Sequence, residues 1–336
     1  MSQSKVLICA DPKEGVIWSK EEQKSQLEAV AEVIELSSSD RESFLKDCQP
    51  GGKYDGVVAI YRHGASASAV GNFDKELIDA LPKSVKYVCH NGAGYDTVDV
   101  DACTARGIQV SHTPGSVDDA TATVGIYLAL SAMRQFHVAE LNVRAGKFKQ
   151  GLQPARDPEG KTVGIIGMGG IGKTMAKRFL AFDMKILYHN RRPISPEPSF
   201  PCTYCENVDD LLAQSDIVSL NLPLNEKTKG SFGKAQFDKM KDGSVLVNTA
   251  RGGVVDEDAL IEALESGKLF SAGLDVFPDE PNVNPKLIAM KNITLLPHMG
   301  TETRDSQKKM ELQVFDNIVS ALQGKGLPNQ VPEQRK

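Results

Sequence analysis

From residue 6 to residue 296, short apolar runs alternate with stretches of helical periodicity. No other feature of the chain restricts its fold so strongly. A strand, a helix and a second strand in succession return the chain in one direction. Repeating that unit builds a parallel sheet covered on both faces. The first series predicts strands over residues 6–9, 33–36, 56–61, 86–89 and 108–111, with helices such as 21–30 and 73–81 between them. Pro114 and Gly115 then break the pattern. A long helical stretch follows and ends near Gly146. It is too apolar for a solvated linker, and residues 124–133 in particular predict burial between domains or against a second subunit. A second series predicts strands over 162–166, 185–188, 217–221, 244–248, 271–276 and 293–296. Six strands joined by helices match a doubly wound sheet. A last helix over about 303–322 returns to the first domain. The expected fold class is α/β, with two Rossmann-like domains. One is a discontinuous flavodoxin-like domain over 1–112 and 301–336, and the other a doubly wound domain over 113–300. A length of 336 residues suits two domains.

Composition excludes several classes. There are 39 basic and 44 acidic side chains, a net charge of −5, and no basic block, so nucleic acid is not an expected partner. The longest apolar stretch is too short to span a bilayer. The opening MSQSKVLICA reaches a strand-like run with no long signal core, and six scattered cysteines suit a reducing cytoplasm. Cys9 and Cys89 lie in apolar strand patterns and read as buried thiols. Cys202 and Cys205 form a lone C-x-x-C with no second ligand pair, so the pair reads as a surface-loop coincidence and no metal is expected.

TVGIIGMGGIGKTMAKRF holds Gly167-x-Gly169-x-x-Gly172 directly after a predicted strand and at the start of a helix. That context turns a weak pattern into a dinucleotide-binding one. Gly167 allows the tight turn, Gly169 lets backbone approach a pyrophosphate, and Gly172 lets helix and strand pack closely. The helix N-terminus presents unpaired N–H groups to phosphate. The next strand leads into YHNRRP, where Asn190 stands 18 residues after Gly172. An acid near this point binds the ribose hydroxyls of NAD and repels a 2′-phosphate. Asn190 removes the repulsion, and Arg191 and Arg192 offer guanidinium groups to phosphate oxygens. The stretch therefore predicts NADP(H) as the preferred cofactor, with NAD(H) also possible.

Further along stand NTARGGVVDEDAL (248–260), GLDVFPDEP (273–281) and LLPHMG (295–300). With HNGAGYDTVD (90–99) and the Gly-rich loop, these make nearly the whole chain resemble the D-isomer-specific 2-hydroxyacid dehydrogenases. The resemblance is to the branch of glyoxylate and hydroxypyruvate reductases and fungal 2-oxo acid reductases. It implies that Arg251 binds the substrate carboxylate and polarises the 2-oxo group, that His298 is the general acid/base and that Glu280 is its partner. It further implies that Leu222, Pro223, Thr249, Ala250 and Asp275 line the nicotinamide half of the cofactor. Gly170, Ile171 and Gly300 complete the cofactor set. Backbone amides of Gly92, Ala93 and Gly94 would hold the substrate carboxylate from the other domain. Where the family often has Val-Ala-Glu early in the long helix, this chain has Thr121-Ala122-Thr123.

The chemistry also follows from residue types. Reducing a 2-oxo acid needs a hydride donor, a proton donor and a cation for the carboxylate. Histidine suits the proton step, a carboxylate favours its imidazolium, and arginine matches a planar carboxylate. Of the six histidines, His90 and His112 also fall at strand ends and read as hydrogen-bonded structural residues. Tyr61-Arg62-His63-Gly64 ends the third strand, and two readings stand: Arg62 contacts a substrate side chain, or the stretch caps the strand. The leading expectation is a homodimeric, NADPH-dependent reductase of a 2-oxo acid such as glyoxylate, hydroxypyruvate or a larger one. Formate dehydrogenases share the architecture but carry glutamine where Glu280 stands. A cofactor-sensing, corepressor-like scaffold on the same fold is the alternative from another class.

Overall fold

The computed structural model describes residues 3–11 and 15–335. The chain divides into two compact units, Met1–Val117 with Glu302–Lys336, and Asp118–Thr301.

In the first unit, strands β1 (Ser4–Cys9), β2 (Ala31–Glu35), β3 (Val57–His63), β4 (Tyr87–Asn91) and β5 (Gln109–Ser111) form one sheet in the order β2-β1-β3-β4-β5. All four pairings are parallel. Successive side chains alternate faces, so a central strand must be apolar throughout. Leu7, Cys9, Ile60 and Val88 enter one core, and Val6, Ile8, Ala59, Tyr61 and Cys89 enter the other. Helix Arg304–Leu322 supplies Val314, Phe315 and Ile318 to the second core and packs on β3 and β4. Thr303 caps it by accepting from Ser306 N–H. Beyond this helix the chain reaches the sheet edge, where Val331 N–H donates to Val110 O (3.0 Å) and Val110 N–H to Gln334 Oε1 (2.7 Å). Cys9 and Cys89 are buried as expected, and burial pushes each thiol up to about 12.

In the second unit, strands β6 (Thr162–Ile166), β7 (Lys185–His189), β8 (Thr203–Tyr204), β9 (Ile217–Leu220), β10 (Ser244–Asn248), β11 (Leu269–Leu274) and β12 (Thr294–Leu295) form a parallel sheet ordered β12-β11-β10-β9-β6-β7-β8. Chain order reverses between β6 and β9, which is where open α/β sheets open a crevice.

Three sequence expectations change. Strand β8 was not predicted: it is two residues long, and no periodicity shows over so short a run. It lies between Cys202 and Cys205, so Cys205 is not in a surface loop. Cys205 is buried, and its N–H donates to Tyr188 O (2.8 Å). The long helical stretch is two helices, Asp118–Arg134 and Phe136–Arg144, separated by Gln135 at φ +57°. Finally, one apolar face of the first helix is buried without a second subunit, while Tyr127 on it stays 45% exposed. Ala122, Leu128, Ala129, Ala132 and Met133 fill the core of their own unit, where the helix packs on helix Gly170–Leu180 and on β10 and β11.

Candidate active site

Gly167 follows β6 at φ +97°, and a Cβ there would lie 2.5 Å from Asn221 O, just past β9. A Cβ on Gly172 would lie 2.5 Å from Gly167 O. Nothing comes within 4 Å of the same position on Gly169, so the loop is open on that side. Helix Gly170–Leu180 begins there with no side-chain cap, leaving its first N–H groups for a ligand. Ile171, in the first turn, packs partly against the core. These features fit the pyrophosphate of a nicotinamide dinucleotide: two glycines are demanded by crowding, and the third leaves backbone exposed.

Asn190 Oδ1 accepts from Met168 N–H at 2.8 Å, which ties the residue after β7 to the Gly-rich loop and leaves its Nδ2 as a donor. Arg191 and Arg192 are exposed and make no hydrogen bond or ion pair among the described residues. The loop is held by two tyrosines. Tyr204 of β8 donates to Asn190 O (3.2 Å), and Tyr188 accepts from Ile194 N–H (3.3 Å). Tyr204 was missed in the sequence because its strand was missed.

Four further strand ends supply the rest. Leu222 and Pro223 follow β9, with Leu222 packed partly against the core. After β10, buried Asn248 folds the turn. Its Oδ1 accepts from Ala250 N–H (3.0 Å) and its Nδ2 donates to Arg251 O (2.9 Å). Thr249 Oγ1 is buried beside it without a hydrogen-bond partner among the described residues. Asn248 was also missed, although an asparagine closing a strand before a glycine pair is a turn signal. A Cβ on Gly252 would overlap the backbone of Phe277 at 1.9 Å, so only glycine lets this turn approach the segment that carries Glu280.

Glu280 Oε1 accepts from Phe277 N–H (2.9 Å), and Oε2 lies 2.7 Å from His298 Nδ1. Burial raises the Glu280 carboxyl. The hydrogen bonds from His298 and Phe277, with the charges of His298 and Arg251, outweigh that and hold it below the usual carboxylate range. His298 is half-exposed, and its Nε2 is left without a protein partner among the described residues. Its backbone is at φ +54°, an uncommon conformation for a non-glycine residue that the surroundings must enforce. Buried Asp275, after β11, accepts from Met299 N–H at 2.8 Å and fixes the following peptide. Burial raises the Asp275 carboxyl. Gly300 is crowded by Asp275 Oδ2 and Thr121 Cγ2, each 3.2 Å from where its Cβ would lie. Thr121, where the sequence departs from the family habit, therefore packs beside this turn.

Residues 126–300 match the family model described as D-isomer specific 2-hydroxyacid dehydrogenase, NAD binding domain. The chain is 49% identical to 4-methyl-2-oxopentanoate reductase A of Aspergillus oryzae over 96% of its length and 97% of that protein's. The chain belongs to the D-isomer-specific 2-hydroxyacid dehydrogenases. It is an oxidoreductase of this family, interconverting a 2-oxo acid and a 2-hydroxy acid with a nicotinamide cofactor. Glyoxylate reductase 1 of Saccharomyces cerevisiae is 42% identical over 91% of the chain and 93% of its own length. The crystal structure of a glyoxylate reductase from Paecilomyes thermophila superposes with a TM-score of 0.94 at 48% identity, covering 100% of both chains.

In the first unit of this dehydrogenase, the loop after β4 carries Gly92, Ala93 and Gly94. Gly92 N–H is already engaged, donating to Thr113 Oγ1 at 3.0 Å, and so is not the free amide expected. Ala93 and Gly94 N–H have no hydrogen-bond partner among the described residues. Arg62 is 1% exposed and turned inward, its Nη1 3.1 Å from His90 Nδ1, so it takes no part in the cap that one sequence reading gave this strand end. His63 makes the cap instead, its Nδ1 accepting from Ala65 N–H at 3.1 Å. No helix among the described residues is long and apolar enough to cross a membrane, and none of their His, Cys, Asp and Glu side chains group as a metal site.

Proposed function

We propose that this dehydrogenase works as a reductase of small 2-oxo acids, prefers NADPH, and forms the D-2-hydroxy acid through Arg251, Glu280 and His298. The observation that carries this is the 2.7 Å contact between His298 Nδ1 and Glu280 Oε2, which leaves Nε2 to deliver a proton. In this reading Glu280 accepts the Nδ1 proton and orients the ring so that Nε2 faces the substrate. His298 gives its Nε2 proton to the oxygen of the 2-oxo group, which becomes the hydroxyl. Arg251 pairs with the carboxylate and draws electron density from the 2-oxo carbon. When bound, the reduced nicotinamide supplies the hydride to that carbon. The second unit is the cofactor domain, with Gly167, Gly169, Gly170, Ile171 and Gly172 at the pyrophosphate. Leu222, Pro223, Thr249, Ala250, Asp275 and Gly300 lie toward the nicotinamide. The first unit is the substrate domain, and the Ala93 and Gly94 amides receive a carboxylate.

The preference for NADPH rests on Asn190, Arg191 and Arg192. The amide brings no negative charge, and neither arginine is spent on a partner among the described residues. A homodimer is part of the same proposal. Phe136, Leu141, Val143 and Phe148, in and after helix Phe136–Arg144, are 47–70% exposed, more apolar surface than a short helix leaves to water. Six unbridged cysteines favour a reducing, cytoplasmic setting. Initial rates with glyoxylate, hydroxypyruvate, phenylpyruvate and branched 2-oxo acids, each with NADPH and NADH, test the reading. A preparation that binds NADPH yet reduces none of these favours the scaffold reading.

A further inference from the structure

The loop after β4 has an uneven distribution of hydrogen bonds. Each of its three carbonyls is taken. Gly92 O accepts from Thr113 N–H (3.0 Å), Ala93 O from His112 Nδ1 (2.8 Å) and Gly94 O from His90 Nε2 (2.9 Å). The N–H groups of Ala93 and Gly94 are not, among the described residues. A loop tied by every carbonyl, with two adjacent amides left over, is a pre-formed anion seat.

The ties are specific in their protons. An arginine only donates, so the 3.1 Å bond from Arg62 Nη1 makes His90 Nδ1 the acceptor. The His90 proton must then sit on Nε2, where it donates to Gly94 O. The opposite tautomer would set a lone pair against that carbonyl. Arg62 is buried over the Phe73 ring (5.7 Å), and its Nε and Nη2 have no hydrogen-bond partner among the described residues. A buried guanidinium with two nitrogens unbonded is costly, and packing against apolar side chains does not require one. Fixing the His90 tautomer is a use for it. A Cβ on Gly92 would lie 2.5 Å from His90 Nε2, so the imidazole is wedged in place from the loop side as well. His112 is held against Tyr95, the rings edge to face at 5.0 Å.

We propose that Arg62 and His90 are positioning residues for the substrate. Arg62 sets the His90 tautomer, and His90, together with His112, turns the loop carbonyls inward so that the Ala93 and Gly94 amides face a substrate carboxylate. The proposal rests on the reading that these two amides receive that carboxylate, and it gives Arg62 a role that needs no contact with substrate.

The test uses the whole protein with cofactor, labelled with 15N, and oxamate as an unreactive 2-oxo acid analogue. In the wild type the His90 ring is expected as the Nε2–H tautomer, assigned by the resonance lost in His90→Gln. The Nδ1–H tautomer overturns the proposal without any variant needing to fold. Wild-type Ala93 and Gly94 amide resonances are expected to shift with oxamate. If they do not, the carboxylate reading itself fails and the proposal falls with it. His90→Leu is expected to raise the KM for the 2-oxo acid by about tenfold, the scale of one orienting hydrogen bond, with kcat and the NADPH KM within about twofold. Glutamine can accept from Arg62 and donate to Gly94 O, so His90→Gln is expected to recover most of the loss. Should His90→Leu not fold, Arg62→Met is expected to raise the same KM alone. An unchanged 2-oxo acid KM in a folded His90→Leu or Arg62→Met variant, or an equal rise for 2-oxo acid and NADPH, overturns the proposal while the oxamate shifts still stand for the carboxylate reading.

Discussion

Glu280 is pulled two ways. Burial raises its carboxyl, while hydrogen bonds and the neighbouring positive charges lower it, and the lowering wins. A carboxyl held below its unfolded value contributes stabilisation that is present above that value and is lost as pH falls through the depressed one. The pair with His298 therefore persists into the acid range. In the reductive direction, wild-type kcat/KM should show no loss from Glu280 until pH drops below the ordinary carboxylate range. Glu280→Gln keeps an acceptor for Phe277 N–H but removes the charge, so that acid inflection should vanish. At neutral pH kcat/KM should fall by roughly one to two decades, from a charge-assisted bond worth about 1.5–3 kcal/mol. His298→Ala removes the proton donor and should lower kcat by roughly two to four decades with little change in NADPH binding. Retention of wild-type turnover in His298→Ala would take the histidine out of the mechanism. Asn190→Asp isolates charge, because aspartate can still accept from Met168 N–H. It should shift kcat/KM toward NADH. Arg191→Ala should cost roughly one to two decades with NADPH and little with NADH, and the loss should shrink at high salt. Equal losses with both cofactors would mean that the arginines only support the loop.

Helix Asp118–Arg134 shows how an element's neighbours decide what its composition means. Ala122, Leu128, Ala129, Ala132 and Met133 are buried against helix Gly170–Leu180 and the sheet of the second unit, while Tyr127 stays exposed. Leu128 is fully buried, so Leu128→Ala should cost about 2–5 kcal/mol, read as a shift in the urea midpoint with the slope unchanged. A loss below about 0.5 kcal/mol would contradict its place in that core. Helix Phe136–Arg144 contributes no fully buried side chain, and its apolar groups stay outside. The smallest strand matters more than its length suggests. Two residues of β8 bring Tyr204 to Asn190 O and so help to shape the loop read as the cofactor discriminator.

The whole-molecule prediction concerns assembly. Leu141 and Val143 are 50% and 62% exposed on a helix with no buried face. If they meet a second copy, the wild type should sediment as a dimer at micromolar concentration. Leu141→Glu combined with Val143→Glu should then shift it toward monomer. Unlike a charge at Leu128, these substitutions leave the core of the second unit intact, so a fall in mass cannot be blamed on unfolding. A wild-type monomer would contradict the dimer.

The sequence by itself determined the order of strands and helices, the Gly-rich turn and the Arg, Glu and His candidates. Each of these is written locally. A parallel strand buried on both faces must be apolar for several residues, and a glycine at φ +97° cannot be replaced cheaply. Tertiary structure decided the rest. Strand β8 exists because β7 offers it an edge, since two residues carry no period of their own. The break at Gln135 and the inward burial of residues 124–133 depend on which surfaces lie beside the helix, and hydrophobicity does not name its partner. Asn248 and Arg62 act through atoms that only folding brings near. The amide of Gly92 is engaged because Thr113, 21 residues away, meets it. His298 and Glu280 stand 18 residues apart in the chain, and their 2.7 Å contact exists because β11, β12 and the turns after them place both at one end of the sheet.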